Sequence, residues 1–292
     1  PGYRDPYKEM GCDDEIADLY GMATNIDDNF KRILDKLEEL DLRENAIIIF
    51  TSEDVPGHEY NAGLRTGEGD ELANCEAGGV YQADLRVPFL IQWRERFKRP
   101  GKVDQIASHI DILPTLLEAC GQEISEDHRF DGISLMPLLT GDSEKWMDRM
   151  LFFQCHRGLN PKRYQNCAVI TREYKMVGYP NTFNEEDLQV SFDNPYLELY
   201  DLINDPGEKD NIAEDDPQTL RMFKIAYDRW YDDMKNTRGF NPGLIHVGSQ
   251  YENPVRLSRY QDGAYYNGEP TGWPVIVEHG GKYEIQINRE SD

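Results

Sequence analysis

No run of apolar residues in this 292-residue chain approaches the roughly 20 needed to cross a bilayer, so no membrane span is written in it. Positive charge is scarce: 31 Lys and Arg stand against 55 Asp and Glu, a formal charge of −24. That balance repels phosphate backbones and anionic membrane surfaces, which argues against nucleic acid as a partner. The five cysteines show neither the paired spacing of a zinc site nor a dithiol redox motif. Their odd number leaves at least one thiol unpaired within the chain. Cys120, inside an apolar helical segment, reads as a small core residue. No signal-peptide pattern is visible.

What is present is enough chain to bury one large core with additions. Pro1 to Gly11 reads as an extended lead-in. Asp13 or Asp14 can cap a helix reaching about Leu40. Its apolar positions Leu19, Ala23, Ile26, Phe30, Ile33, Leu37 and Leu40 fall in steps of four and three. They predict one stripe packed on a sheet, with a coiled coil as the lesser alternative. Ala46–Phe50 reads as a fully buried parallel strand and Val87–Trp93 as a second buried strand. Residues 57–85 between them lack periodicity, a length of irregular chain that is usually functional or disordered. A helix is predicted over Ile110–Ala119, with Pro114 near its first turn and Gly121 closing it. This alternation predicts an α/β fold: part of a sheet with flanking helices, over residues 1–150.

From residue 151 the texture changes. Leu151–Gln154, Cys167–Thr171, Tyr174–Val177 and Leu197–Leu202 read as short strands. The helix Pro217–Lys235 carries Leu220, Phe223, Ala226, Tyr227, Trp230 and Tyr231 on one face. A small antiparallel sheet covered by that helix is expected over 151–240. A β-strand extension is expected over 241–292, with strands at Val255–Leu257, Trp273–Val277 and Tyr283–Ile287 and a hairpin connection at Glu278–Lys282. The tail reads as a docked sheet extension, or as a carbohydrate-binding module with Trp273, Tyr265 and Tyr266 as stacking platforms.

The strand Ala46–Phe50 ends in Thr51-Ser52-Glu53-Asp54, then Val55-Pro56-Gly57. Ligands gather beyond the carboxyl ends of strands in open α/β sheets, and paired carboxylates there suit a hard cation. A solvated loop or a helix cap is the plain alternative. His58 beside the doublet is a ligand or acid–base candidate, or an ordinary loop residue. Arg86, Arg94, Arg96, Lys98, Arg99 and Lys102 form a basic stretch that reads first as a solvated loop and second as an anion patch.

Several strings in order carry a family resemblance. They are Glu44–Ser52; Tyr60-Asn61-Ala62-Gly63-Leu64-Arg65; Gly67-Glu68-Gly69; Glu76-Ala77-Gly78-Gly79; Arg86-Val87-Pro88-Phe89; Ser108–Leu117; Phe130–Gly141; and Glu198–Leu202 with Asn204–Glu208 and Asn211. Over roughly Asp13 to Lys235 the chain resembles the arylsulfatase-like sulfatases of the alkaline-phosphatase superfamily, in the C-terminal portion of that fold. The resemblance implies sulfuric ester hydrolysis, on sulfated small molecules or glycans, in a periplasmic or extracellular setting. It implies calcium as cofactor, with Glu53 and Asp54 at the metal-ligand positions where the family has Asp followed by Asn or His. Glu68 stands at the family's lysine, which contacts the sulfate. Arg65, His156 and Arg157 are candidate substrate contacts; for His156 a buried, hydrogen-bonded role is equally open.

The family's nucleophile is a formylglycine made within Cys/Ser-x-Pro-x-Arg. None of Cys12, Cys75, Cys120, Cys155 or Cys167 lies in that pattern. The expectation is therefore a chain that lacks the nucleophile-bearing half. Two readings stand: part of a sulfatase, or a catalytically degenerate sulfatase-like protein that binds glycans or partners. The second is favoured by Glu68 and Glu53 at their altered positions. Phosphatases and phosphonate hydrolases on the same scaffold fit the Leu199–Asn211 string less well.

Overall fold

A computed structural model describes residues 2–52, 64–65, 79–97, 101–122, 128–142, 146–156, 161–180, 182, 194–237, 239–240, 244–257, 273 and 275–286. The chain divides into two compact units, Pro1–Glu53 with Val87–Met147, and Asp54–Arg86 with Asp148–Asp292. The described residues 64–65 and 79–86 therefore group with the later part of the chain. Helices and strands together make a mixed α/β architecture with antiparallel sheets.

In the first unit, α1 (Asp5–Glu9) replaces the expected extended lead-in. Pro6 sits in its first turn, where a missing N–H costs nothing. The Tyr7 hydroxyl meets Thr24 Oγ1 at 2.5 Å on α2 (Asp14–Glu39). Asp13 caps α2, its side chain accepting the Ile16 N–H at 2.8 Å. The predicted stripe is only partly used. Phe30 packs its ring 5.3 Å from Phe50, whereas Ile26 and Ile33 are 55% and 58% exposed. A stripe built on steps of three and four is wider than a four-residue strand can cover.

That strand is β1 (Ile48–Thr51), which pairs with β2 (Phe89–Gln92) in register Ile48↔Gln92. The pairing is antiparallel and both strands are only half-buried, which corrects the expected parallel, fully buried geometry. An unbroken apolar run signals burial but carries no information on strand direction.

The turn His109–Asp111 leads into α4 (Ile112–Ala119). Asp111 is fully buried and accepts the N–H groups of Ser108 (2.8 Å) and Ile133 (2.9 Å). A Cβ on Gly132 would lie 2.0 Å from the Ile110 carbonyl oxygen, so the Phe130-Asp131-Gly132 string needs glycine for this approach. Met136–Thr140 forms α5. Cys120 lies exposed just past α4, not in the core: Gly121, at φ +66°, turns the chain away there.

The second unit holds α3 (Gln82–Leu85) and a four-stranded antiparallel sheet of β3 (Leu151–Gln154), β4 (Cys167–Ile170), β5 (Tyr174–Gly178) and β6 (Leu197–Asp201), paired in chain order. The period-two alternation of strands sends Cys167, Val169 and Met176 to one face, where α6 (Pro217–Thr237) covers them with Phe223, Tyr227 and Tyr231. Burial there pushes the Cys167 thiol pKa up to about 12, which makes it an inert core residue. Ala168, Ile170, Val177 and Tyr200 point the other way and pack against Val80 and Tyr81.

The loop after β6 explains the Glu198–Asn211 string. Asp201 accepts the N–H groups of Ile203 and Asn204, each at 3.0 Å. Asp205 accepts those of Lys209 (2.7 Å) and Asp210 (2.9 Å).

In the tail, β7 (Ile245–Val247) pairs in parallel with β8 (Val275–Val277), so β8 is not one arm of the predicted hairpin. Val255–Leu257 and residues 283–286 form no strand; Ile285 is 83% exposed. Alternating polarity makes a strand only where a surface exists to bury one side of it. Trp273 is partly exposed, and Tyr265 and Tyr266 lie outside the described residues.

Phe223→Ala should lower the unfolding free energy by about 3–5 kcal/mol. Ile33→Ala should change it by no more than about 0.5 kcal/mol. Urea titration of both variants checks the assignment of the core to the α6 face.

Candidate functional site

Of the residues singled out from sequence, Glu53, Asp54, His58, Glu68 and Arg157 lie outside the described residues. Arg65 and His156 are placed, both in the second unit. In the basic stretch, Arg94 donates to Glu38 at 2.5 Å and Glu44 at 3.3 Å, Arg96 lies over the Trp93 ring at 5.2 Å, and Lys102 pairs with Asp104 at 2.8 Å. These three pair with side chains of their own chain, and Lys98 and Arg99 lie outside the described residues.

Arg65 turns into the protein. Its guanidinium lies 4.0 Å over the Tyr81 ring and donates to the Tyr200 hydroxyl at 2.6 Å and to the Glu208 carbonyl at 3.4 Å. Its own carbonyl accepts the Ala83 N–H at 3.0 Å. Burial works against the charge, but Tyr81, Tyr200 and Glu198 hold it firmly protonated. One guanidinium nitrogen, Nη1, is thus engaged by the chain's own oxygens.

Around it lies a buried polar cluster that reading the sequence did not find. Glu198 accepts hydroxyl hydrogens from Tyr81, Tyr196 and Tyr200, each at 2.8 Å. Burial, then the Glu198 charge, push the Tyr81 and Tyr200 hydroxyls far above their ordinary pKa, so they remain donors. Lys175 and Glu208, both wholly inaccessible to solvent, meet at 2.6 Å. The second carboxylate oxygen of Glu208 accepts the Gln82 N–H at 2.5 Å. Burial pulls Lys175 down and Glu208 up, and each is opposed by the other's charge. The available signal was Lys175 and Glu198 inside otherwise apolar strands. At period two they share a face with Val177 and Tyr200, so that face had to be either wet or covered. It is covered by residues 79–85.

His156 follows β3 and is half-buried; desolvation lowers its pKa below the ordinary 6.5. It enters the fold neutral. In the unfolded chain it takes up a proton once pH falls below 6.5, so its contribution is intact above that value and declines as pH falls towards the depressed folded pKa. His156→Gln should therefore flatten the stability profile just below pH 6.5, as read by urea midpoints across pH. Lys175→Met should cost about 3–5 kcal/mol by leaving a buried carboxylate without its cation. Lys175→Met combined with Glu208→Gln should recover part of that loss in the same titration.

Residues 77–229 match the family model described as N-sulphoglucosamine sulphohydrolase, C-terminal, and residues 3–122 match the one described as Sulfatase. Human steryl-sulfatase is 30% identical over 230 residues, covering 71% of this chain and 38% of that protein. The N-acetylgalactosamine-6-O-sulfatase of Bacteroides thetaiotaomicron is 28% identical over 198 residues, covering 65% and 37%. The solved structure of the putative sulfatase yidJ from Bacteroides fragilis superposes with a TM-score of 0.55 at 22% identity, covering 77% and 43%, a likeness of fold. The chain thus spans less than half the length of the curated relatives it matches. With more than half of its residues matched by one sulfohydrolase model and the preceding part by another, the chain belongs to the sulfatase family of the alkaline-phosphatase superfamily.

Proposed function

We propose that the full-length gene product hydrolyses sulfate esters on carbohydrate. The match of residues 77–229 to a sulfohydrolase model carries the proposal. The sugar as substrate class is supported by that model's description and by the relative acting on N-acetylgalactosamine 6-O-sulfate; the steryl-sulfatase relative marks the alternative of a sulfated small molecule. A periplasmic or extracellular place of action belongs to the same reading. The family's Cys/Ser-x-Pro-x-Arg motif does not occur in these 292 residues; on this reading the formylglycine would be supplied from outside them.

Glu53 and Asp54 would hold part of a calcium shell: two carboxylates suit a hard cation with flexible coordination. Both lie outside the described residues, among which no group of three or more His, Cys, Asp and Glu could hold a metal. When bound, the cation supplies Lewis-acid stabilisation of sulfate oxygens. Arg157 would present a planar donor pair to the sulfate, and His156 would offer a neutral imidazole to a sugar hydroxyl. Glu68 would repel the sulfate anion where the family has lysine. That substitution favours a second reading, a degenerate sulfatase-like protein that binds sulfated glycans or a partner without turning them over.

Turnover of sulfated monosaccharides by the full-length gene product separates the two readings, and its absence overturns the first. Glu53→Ala with Asp54→Ala should weaken calcium binding by about tenfold or more in calorimetric titration. Unchanged affinity would remove the doublet from the shell. Glu68→Lys should raise kcat/KM for a sulfate ester by about tenfold or more, the scale of one added oxyanion donor.

A further inference from the structure

Residues 66–78 carry the Gly67-Glu68-Gly69 string, and the chain on both sides of them enters one buried cluster. On the near side, Arg65 donates to the Tyr200 hydroxyl at 2.6 Å and to the Glu208 carbonyl at 3.4 Å. On the far side, the Tyr81 hydroxyl donates to Glu198 at 2.8 Å and the Gln82 N–H to Glu208 at 2.5 Å. The two sides also join directly, through the Ala83 N–H to the Arg65 carbonyl at 3.0 Å and through the Arg65 guanidinium 4.0 Å above the Tyr81 ring. Everything these bonds grip outside the two sides themselves belongs to β6 and the loop after it. Lys175 neutralises Glu208, and Tyr196 and Tyr200 add their hydroxyls to Glu198.

We propose that Arg65, Glu198, Tyr200 and Glu208 are positioning residues, a clamp that fixes where the chain leaves and re-enters around residues 66–78. The proposal rests on the sulfatase reading only for its catalytic consequence. On that reading the two anchored flanks, Arg65 and residues 79–85, bracket in sequence the string in which Glu68 stands at the family's lysine. Arg65 acts through the chain and does not touch the sulfate.

The test uses Arg65→Met and the milder Tyr200→Phe, which removes only the hydroxyl joining Arg65 to Glu198. In the purified chain, hydrogen exchange of residues 79–86 should quicken about tenfold in each variant, the scale of one lost hydrogen bond. Exchange of residues 167–178 should stay unchanged. No change over 79–86, or an equal rise over both regions, overturns the clamp. In the full-length gene product, both variants should lower kcat for a sulfate ester with little change in KM. A rise in KM confined to Arg65→Met, with Tyr200→Phe kinetically normal, would make Arg65 a substrate contact and overturn the proposal. If the wild-type product turns over no sulfate ester, the exchange result still decides the clamp, and only the hydrolytic reading falls.

Discussion

A lysine and a glutamate set in apolar strands oblige the fold to bring them partners, and the second unit is arranged around that obligation. Lys175 on β5 and Glu198 on β6 face away from α6. Left in an apolar layer without partners, each would cost several kcal/mol. Glu208 reaches Lys175, and the tyrosine hydroxyls reach Glu198. Glu208 sits at φ +53°, a left-handed backbone that a non-glycine residue adopts at some cost; its contacts with Lys175 and Gln82 offset that strain. The sheet is thereby covered on both faces, by aromatic packing on one and by a charged, hydrogen-bonded lattice on the other.

The two faces differ in what they specify. The α6 face is held mainly by ring packing, with Phe152 stacked on Trp230 at 5.4 Å and Tyr164 on Tyr227 at 5.1 Å, supplemented by the Tyr227 hydroxyl donating to Gln154 at 3.0 Å and the Tyr231 hydroxyl to the Pro161 carbonyl at 2.7 Å. The opposite face is held by direction, since a donor displaced by an ångström leaves a buried acceptor unpaired. A polar lattice of this kind suits a surface whose partner is a short irregular segment, where apolar contact alone would allow several placements.

Sequence patterns were most legible where a single side chain acts on its own neighbours. Asp13 announced the start of α2, Gly121 the end of α4, and the aromatic stripe from Leu220 to Tyr231 the buried face of α6. Strand positions from Leu151 to Asp201 were legible too, because alternation is local. Direction and cover were not. Ala46–Phe50 gave no sign that its partner runs antiparallel, and Tyr283–Ile287 carried a strand pattern with nothing described against which to fold it. The direction of the Arg65 side chain was not legible either, because the tyrosine beneath it, Tyr81, stands sixteen residues away in the chain. The family itself was legible in the order of its strings, while the acidic doublet Glu53-Asp54, on which the cation reading depends, falls beyond the described residues.

Beyond β6 the chain doubles back along the sheet margin. The Leu199 N–H donates to Asn211 Oδ1 at 3.0 Å, and the Leu199 carbonyl accepts the Ile212 N–H at 2.8 Å. Both backbone groups of Leu199 that point away from β5 are thus capped by a neighbour that is not a strand. An open strand flank is a template for pairing with another molecule. Here that template is closed at Leu199, the middle of β6, so a strand added there would first have to displace both bonds, and Asn211 guards the flank as well as shaping the turn.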